Sequence, residues 1–181
     1  METRMDQNPD IALLEELEAQ RDLHNLNTRY CRGADRMDAE MLGSVWTRDA
    51  QVDCGAFKGP AQEFTTAVTT PDAVRERSYH AISNEYYEVD GDTARGEVYL
   101  IAISTLVENG SKNDQWIGGR YLDTYKREDG AWKIATRAFV MDWNMNKPTT
   151  AVWDEGLFGM IKLRGTRDRS DPVYALLGAQ A

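Results

Sequence analysis

The chain is poor in the residues that most specialised chemistry needs. Its 181 residues include two histidines, His24 and His80, and two cysteines, Cys31 and Cys54. They form no CxxC and no close ligand pair, so no metal site is expected. Both thiols are expected to be free, as in a reducing cytoplasm. There is no Gly-rich phosphate loop, because Gly118-Gly119 lies inside a strand pattern with no helix after it, and no cofactor is expected. The longest apolar run, Val98 to Ile103, is far too short to span a bilayer. The opening METRMDQNPD has no apolar core segment, so no secretion signal is expected and a cytoplasmic location is. Cations are outnumbered: 21 Lys and Arg against 30 Asp and Glu give a net charge of −9. A nucleic-acid backbone or an anionic membrane is therefore not an expected partner.

What is present is ordinary globular material, 41% hydrophobic and 28% charged, enough for one domain with a sizeable core. Residues 1–9 are expected to be flexible. Asp10 is placed to cap a helix running to about Cys31, with Gly33 as its stop. Its apolar stripe is split: Leu13, Leu14 and Leu17 share one face, and Leu23, Leu26 and Tyr30 another. Either one face meets a neighbouring subunit or the helix bends. Asp38 caps a second short helix carrying Met41, Leu42, Val45 and Trp46. A short strand follows near 50–54, then a turn at Lys58-Gly59-Pro60, a helix over 61–68, and a helical piece opening at Thr70-Pro71-Asp72.

From Tyr79 the period becomes that of strands, near 79–89, 93–107, 114–127 and 131–143. They are joined at Asp90-Gly91-Asp92, Asn109-Gly110 and Asp129-Gly130, the strongest short-range hairpin signals. Helices followed by an antiparallel meander predict an α+β fold with helices packed on one face. Val98, Leu100 and Ala102 face one way and Tyr99, Ile101 and Ile103 the other, so the sheet needs two covers. The helices supply one; a partner subunit or residues 145–181, read as a wrapping extension, supply the other. The domain proper is 10–144.

Four residues carry the chemical interest. Strand phase puts Arg137 on a face with Lys133, Ala135, Phe139, Met141 and Trp143, where an unpaired guanidinium would cost several kcal/mol. It is either half of a structural ion pair, with Asp123 or Asp35 as partner, or a ligand anchor. His80 stands at the start of the meander, and an imidazole suits a general base at neutral pH. It is otherwise a satisfied strand residue. Tyr30 lies on the Leu23–Leu26 stripe and Asp35 just past Gly33, a common place for a capping Asp. His24, between Asp22 and Asn25, is expected to be solvated. Trp46 and Trp116 read as core, and Tyr121, Tyr125, Phe139 and Trp143 as either core or the lining of an apolar cavity.

The stretches RYCRGADRMDAEMLGSVWTRDAQV, FKGP, SYHAISN and YKREDGAWKIATRAF, in that order over about 11–144, resemble the SnoaL-like, cystatin-type α+β barrel superfamily. The nearest enzyme branch is the hexachlorocyclohexane dehydrochlorinases, with scytalone and bile-acid dehydratases as relatives. The resemblance implies a cone-shaped barrel of helices on a strongly curved, mainly antiparallel sheet. It implies a catalytic Asp35 in GAD, a catalytic His80 in SYHAISN and an active-site Arg137 in ATRAF. Pocket positions fall at Val52, Val98, Leu100, Ile117 and Tyr121, and Trp46, Phe139 and Met141 complete the expected lining. A homotrimer is implied.

Tyr30 departs from the dehydrochlorinase pattern, which has Lys there; the dehydratase branch has Tyr. This shifts the expectation from chloride loss to loss of water or another small oxygen-bearing group, formaldehyde included. The substrate would be a hydrophobic aromatic or polycyclic small molecule. In this reading His80 takes the proton, Asp35 orients it, Tyr30 donates to an oxygen and Arg137 stabilises negative charge. A ketosteroid-type isomerase or cyclase, or a non-catalytic binding or oxygenase-subunit-like protein, are the alternatives.

Overall fold

The computed structural model describes residues 9–178; of the start expected to be flexible, 1–9, residues 1–8 lie outside them, as do the last three residues of the extension, while Pro9 already belongs to the first helix. Helix α1 (Pro9–Asp35) and the short α2 (Ala39–Ser44) are followed by strands β1 (Trp46–Asp53) and β2 (Lys58–Pro60). Helix α3 (Ala61–Thr69) leads into four long strands, β3 (Arg75–Asp90), β4 (Thr93–Glu108), β5 (Ser111–Glu128) and β6 (Ala131–Pro148). Two short helices, α4 (Gly156–Met160) and α5 (Pro172–Leu177), lie in the C-terminal extension. The six strands form one sheet in the order β2-β1-β6-β5-β4-β3, antiparallel except where β1 pairs with β6. The fold is α+β. Helix α1 touches both β3 and β6, which two strands separate, so the sheet curls around it.

The meander is held in register by its turns. Asn109 and Gly110 have φ of 50° and 78°, and Asp129 and Gly130 of 54° and 79°, the paired left-handed values that match the strand twist. Asp38 caps α2 by accepting from the Met41 backbone N–H at 3.1 Å. Three local expectations are corrected. Gly33 does not stop α1, which continues to Asp35. A Cβ on Gly33 would sit 2.8 Å from the Leu42 backbone nitrogen, so glycine is there to let α2 pack against α1. Asp10 lies inside the first turn rather than ahead of it. Thr70-Pro71-Asp72 starts no helix; Asp72 instead accepts from the Val74 and Arg75 backbone amides at 2.8 and 2.6 Å and turns the chain into β3.

β-Bulges decide which side chains face α1. An extra residue at Ala135 breaks the alternation of β6, so Trp132 and Ile134 share the inner face with Arg137; Lys133, expected there, instead reaches the Ser44 carbonyl. Asn84 (φ 47°) is a second bulge, in β3. Before it Ser78, His80 and Ile82 face inward, and after it Glu85, Tyr87 and Val89 do. The core contains Leu23, Leu42, Val45, Trp46, Val52, Val98, Tyr125 and Ile134, each at most 3% exposed. The outer face of the sheet keeps Tyr79, Tyr86, Tyr99, Ile101 and Leu122 exposed. Leu13, Leu14 and Leu17 on the first turns of α1 are exposed too.

Candidate active site

Asp35 is the last residue of α1 and buried. Its carboxylate takes three hydrogen bonds from β3: His80 Nδ1 at 2.6 Å and Ser78 Oγ at 3.1 Å on Oδ1, and the His80 backbone N–H at 2.9 Å on Oδ2. A carboxylate only accepts, so Nδ1 carries the hydrogen, and in the neutral ring Nε2 keeps its lone pair. Holding both the backbone and the ring of one residue fixes the imidazole more tightly than a single contact would. The His80 side chain retains 18% exposure, and Nε2 has no hydrogen-bond partner among the described residues.

The pair borders a cavity of about 460 Å³. Its walls come from the last turns of α1 (Thr28, Cys31, Arg32, Asp35, Arg36), the start of β3 (Glu76–His80, Ile82) and the extension (Trp153, Gly165–Arg167, Asp171). The extension is pinned over the site by specific contacts. The Arg77 guanidinium lies 3.5 Å from the Trp153 ring centroid. Arg169 and the Tyr174 hydroxyl both donate to Asp38, at 3.0 and 2.8 Å, so the residue that caps α2 also anchors the chain end. Asp171 accepts from the Thr166 and Val173 amides at 3.0 Å each.

Tyr30 and Arg137 meet elsewhere, inside the sheet. Arg137 is 2% exposed and grips Asp123 through two parallel hydrogen bonds, Nε at 3.0 Å and Nη2 at 2.7 Å. Nη2 also donates to Asn27 Oδ1 on α1, and the guanidinium lies 4.1 Å from the Tyr30 ring centroid and 3.9 Å from that of Tyr121. The network continues outward. Asn27 donates to the Tyr87 and Tyr125 hydroxyls at 2.9 and 3.1 Å, and Tyr125 donates to Asp123 at 2.6 Å. Tyr87 donates to Glu85, which bonds His24 Nδ1 at 2.7 Å. His24, expected to be merely solvated, is thus the surface end of this chain.

The sequence-derived site residues fall into three groups. Asp35 and His80 are brought together at the cavity. Tyr30 and Arg137 are brought together in the interior and are not among its walls. Of the eight expected lining residues, none borders this cavity: Trp46, Val52, Val98, Leu100 and Tyr121 are buried core, and Ile117 and Phe139 are half-buried. Met141 is 56% exposed, because β6 runs beyond the helical cover and every residue from 141 to 148 faces solvent. Sequence reasoning missed Ser78, whose place two residues before His80 on one strand face was available from period two. It also missed Cys31, Arg32 and the walls from the extension, for which no local signal exists. Among the described residues no group of three or more His, Cys, Asp or Glu is gathered to hold a metal ion. No helix among them is long and apolar enough to cross a membrane.

Burial pushes the Tyr30 phenol from its ordinary 10.0 up to about 12, against the pull of the Arg137 cation and the Tyr121 hydroxyl. Burial likewise pushes the Cys31 thiol from 9.0 up to about 12, and the Asp35 carboxylate adds to the rise while Arg137 opposes it. Both groups favour the protonated form when folded. Their contribution to stability is full below about pH 9 and is lost as pH rises toward about 12. Thermal unfolding followed from pH 8 to 12 is expected to show Tm falling through this window, with a shallower fall in Tyr30→Phe and Cys31→Ala. Slopes equal to that of the unmodified chain would contradict the assignment.

The comparisons with known proteins agree on the fold. The family model for the SnoaL-like domain matches residues 15–138. A hexachlorocyclohexane dehydrochlorinase from Novosphingobium barchaimii is 22% identical over 77% of this chain and 95% of its own, with a TM-score of 0.65. A provisionally assigned scytalone dehydratase from Novosphingobium aromaticivorans is 19% identical over 76% and 93%, with a TM-score of 0.64. A substituted form of a Mycobacterium tuberculosis protein of unknown function is 25% identical over 81% and 85%, with a TM-score of 0.59. No curated protein matches the chain. With two thirds of its length matched by the family model, the chain belongs to the SnoaL-like domain family.

Proposed function

We propose that the protein is a cofactor-independent lyase that removes water, or another small oxygen-bearing group, from a hydrophobic aromatic or polycyclic molecule. The observation that carries this reading is the 2.6 Å Asp35–His80 hydrogen bond on the wall of a cavity, which leaves Nε2 as an oriented base. Among the similar structures are a dehydrochlorinase and the provisionally assigned dehydratase, both elimination enzymes by name.

In the proposed step Nε2 takes a proton from carbon. The C–H electron pair becomes the new double bond as the C–O bond breaks. The imidazolium returns its proton to the departing hydroxyl, so water leaves and the ring is neutral again. Asp35 holds the tautomer and stabilises the imidazolium. Tyr30 and Arg137 lie off this cavity in the interior network, so the part assigned to them is positioning: through Asn27 and the Tyr30 ring the Arg137 guanidinium holds α1, and with it Asp35, in place. A hydroxymethyl substrate would give its O–H proton to the same base; the O–H electron pair closes the C=O of formaldehyde as the C–C bond breaks, and the carbanion left on the substrate takes the proton back from the imidazolium. His80→Ala and Asp35→Asn are each expected to lower turnover of hydroxylated aromatic substrates by about 10²–10⁴-fold, with product mass reporting the group lost. Undiminished turnover in both variants would exclude the pair as the base.

The proposed assembly is a homotrimer, supported by the apolar outer face of the sheet that no element among the described residues covers. Light scattering is expected to give three times the chain mass, and a monomer mass would overturn it.

A further inference from the structure

The walls of the cavity carry more positive charge than they use. Four arginines line it, Arg32, Arg36, Arg77 and Arg167, against Asp35, Glu76 and Asp171. Each acid is already engaged. Asp35 holds His80 and Ser78. Glu76 pairs with Arg77 at 2.9 Å and with Lys112 at 2.5 Å. Asp171 accepts two backbone amides and lies 3.5 Å from Arg36 Nε. That leaves Arg32 and Arg167. The Arg32 guanidinium makes no hydrogen bond or ion pair among the described residues, and its Nη2 is buried without a partner. Arg167 spends one nitrogen on the Arg75 carbonyl, while its Nε is buried with no hydrogen-bond partner among the described residues; Arg36 Nε makes no hydrogen bond either and has only the 3.5 Å ion pair with Asp171.

Buried guanidinium donors without acceptors are costly, and the cost falls when a planar oxyanion arrives. Burial, and then the neighbouring Arg75 cation, hold Arg167 below the usual arginine range, against the pull of the Asp72 and Asp35 carboxylates. A guanidinium presents forked N–H donors that fit a carboxylate two at a time. Ile82, Cys31 and the Trp153 ring supply apolar wall beside these donors, and His80 stands on the same cavity.

We propose that the substrate carries a carboxylate, bound by Arg32 and Arg167 with Arg36 beside them, while its apolar body lies toward Ile82 and Trp153. The extension that contributes Arg167 and Trp153 is then part of the binding site. This rests on the lyase reading for the identity of the ligand as substrate; the anion site itself does not need turnover.

The test titrates the full ¹⁵N-labelled chain with benzoate and, separately, with benzamide, reading the arginine Nε–H resonances and the dissociation constants. Benzoate is expected to bind at least about tenfold more tightly than benzamide, with the Arg167 and Arg36 signals moving. Arg32→Gln and Arg167→Gln are each expected to cut that preference to below about threefold. Arg167→Lys, which keeps the charge and loses the fork, is expected to keep an intermediate preference. His80→Ala is expected to keep the benzoate preference and to lose turnover. Equal binding of the two probes, binding of neither, or a preference untouched by both glutamine variants would overturn the anion site. A preserved preference in a protein whose turnover ignores His80 would instead overturn the lyase reading and leave the anion site standing.

Discussion

The Arg137–Asp123 pair is the constraint around which the interior is arranged. Both side chains are at most 1% exposed, so neither charge has water to fall back on. Desolvating two charges is expensive, and the expense is offset only if geometry is good and the remaining donors are met. Here two parallel hydrogen bonds, Asn27 from the helix, Tyr125 from β5 and two flanking tyrosine rings meet most of them. Removing one partner of such a pair costs about 3–5 kcal/mol. By contrast Arg120 with Asp142 and Glu97, each side chain more than a quarter exposed, is worth about 1 kcal/mol or less. The surface network decorates the sheet, whereas the interior pair sets where α1 sits on it.

That placement matters for the chemistry. Asn27 ties the middle of α1 to β3, β5 and β6, and Asp35 ends the same helix two turns later. A rigid middle turn therefore delivers the carboxylate to Ser78 and His80. Cys31 sits between the two centres and feels both the Arg137 cation and the Asp35 carboxylate. The base and the interior network are separate clusters on one helix, which gives Tyr30 and Arg137 a positioning character that the resemblance alone did not suggest.

Much of the fold was legible because it is written in local chemistry. Asn109-Gly110 and Asp129-Gly130 name their turns, Asp38 names its helix start, and the alternation at Val98 and Leu100 names the inner face of β4. Asp35 and His80 came from motifs whose order along the chain matches the family. What stayed hidden is what one residue can do to a period. The extra residues at Asn84 and Ala135 reverse which side chains turn inward, and nothing in their identity announces it. Gly33 looked like a stop and is a contact, because its reason lies in Leu42 on another helix. The roof over the cavity was also out of reach: Arg167 and Trp153 are separated from Asp35 by more than a hundred residues, and tertiary pairing alone brings them together.

The central claim is that Asp35 fixes His80 with Nε2 free toward a cavity roofed by the chain's own extension. Long-range ¹H–¹⁵N correlation of the imidazole in the intact protein, at a pH where the ring is neutral, tests it without knowledge of the substrate. The account predicts the tautomer with hydrogen on Nδ1, and its loss or mixing in Asp35→Asn. A neutral ring protonated on Nε2 in the unmodified protein would contradict the account, because the base it proposes would have no lone pair to offer.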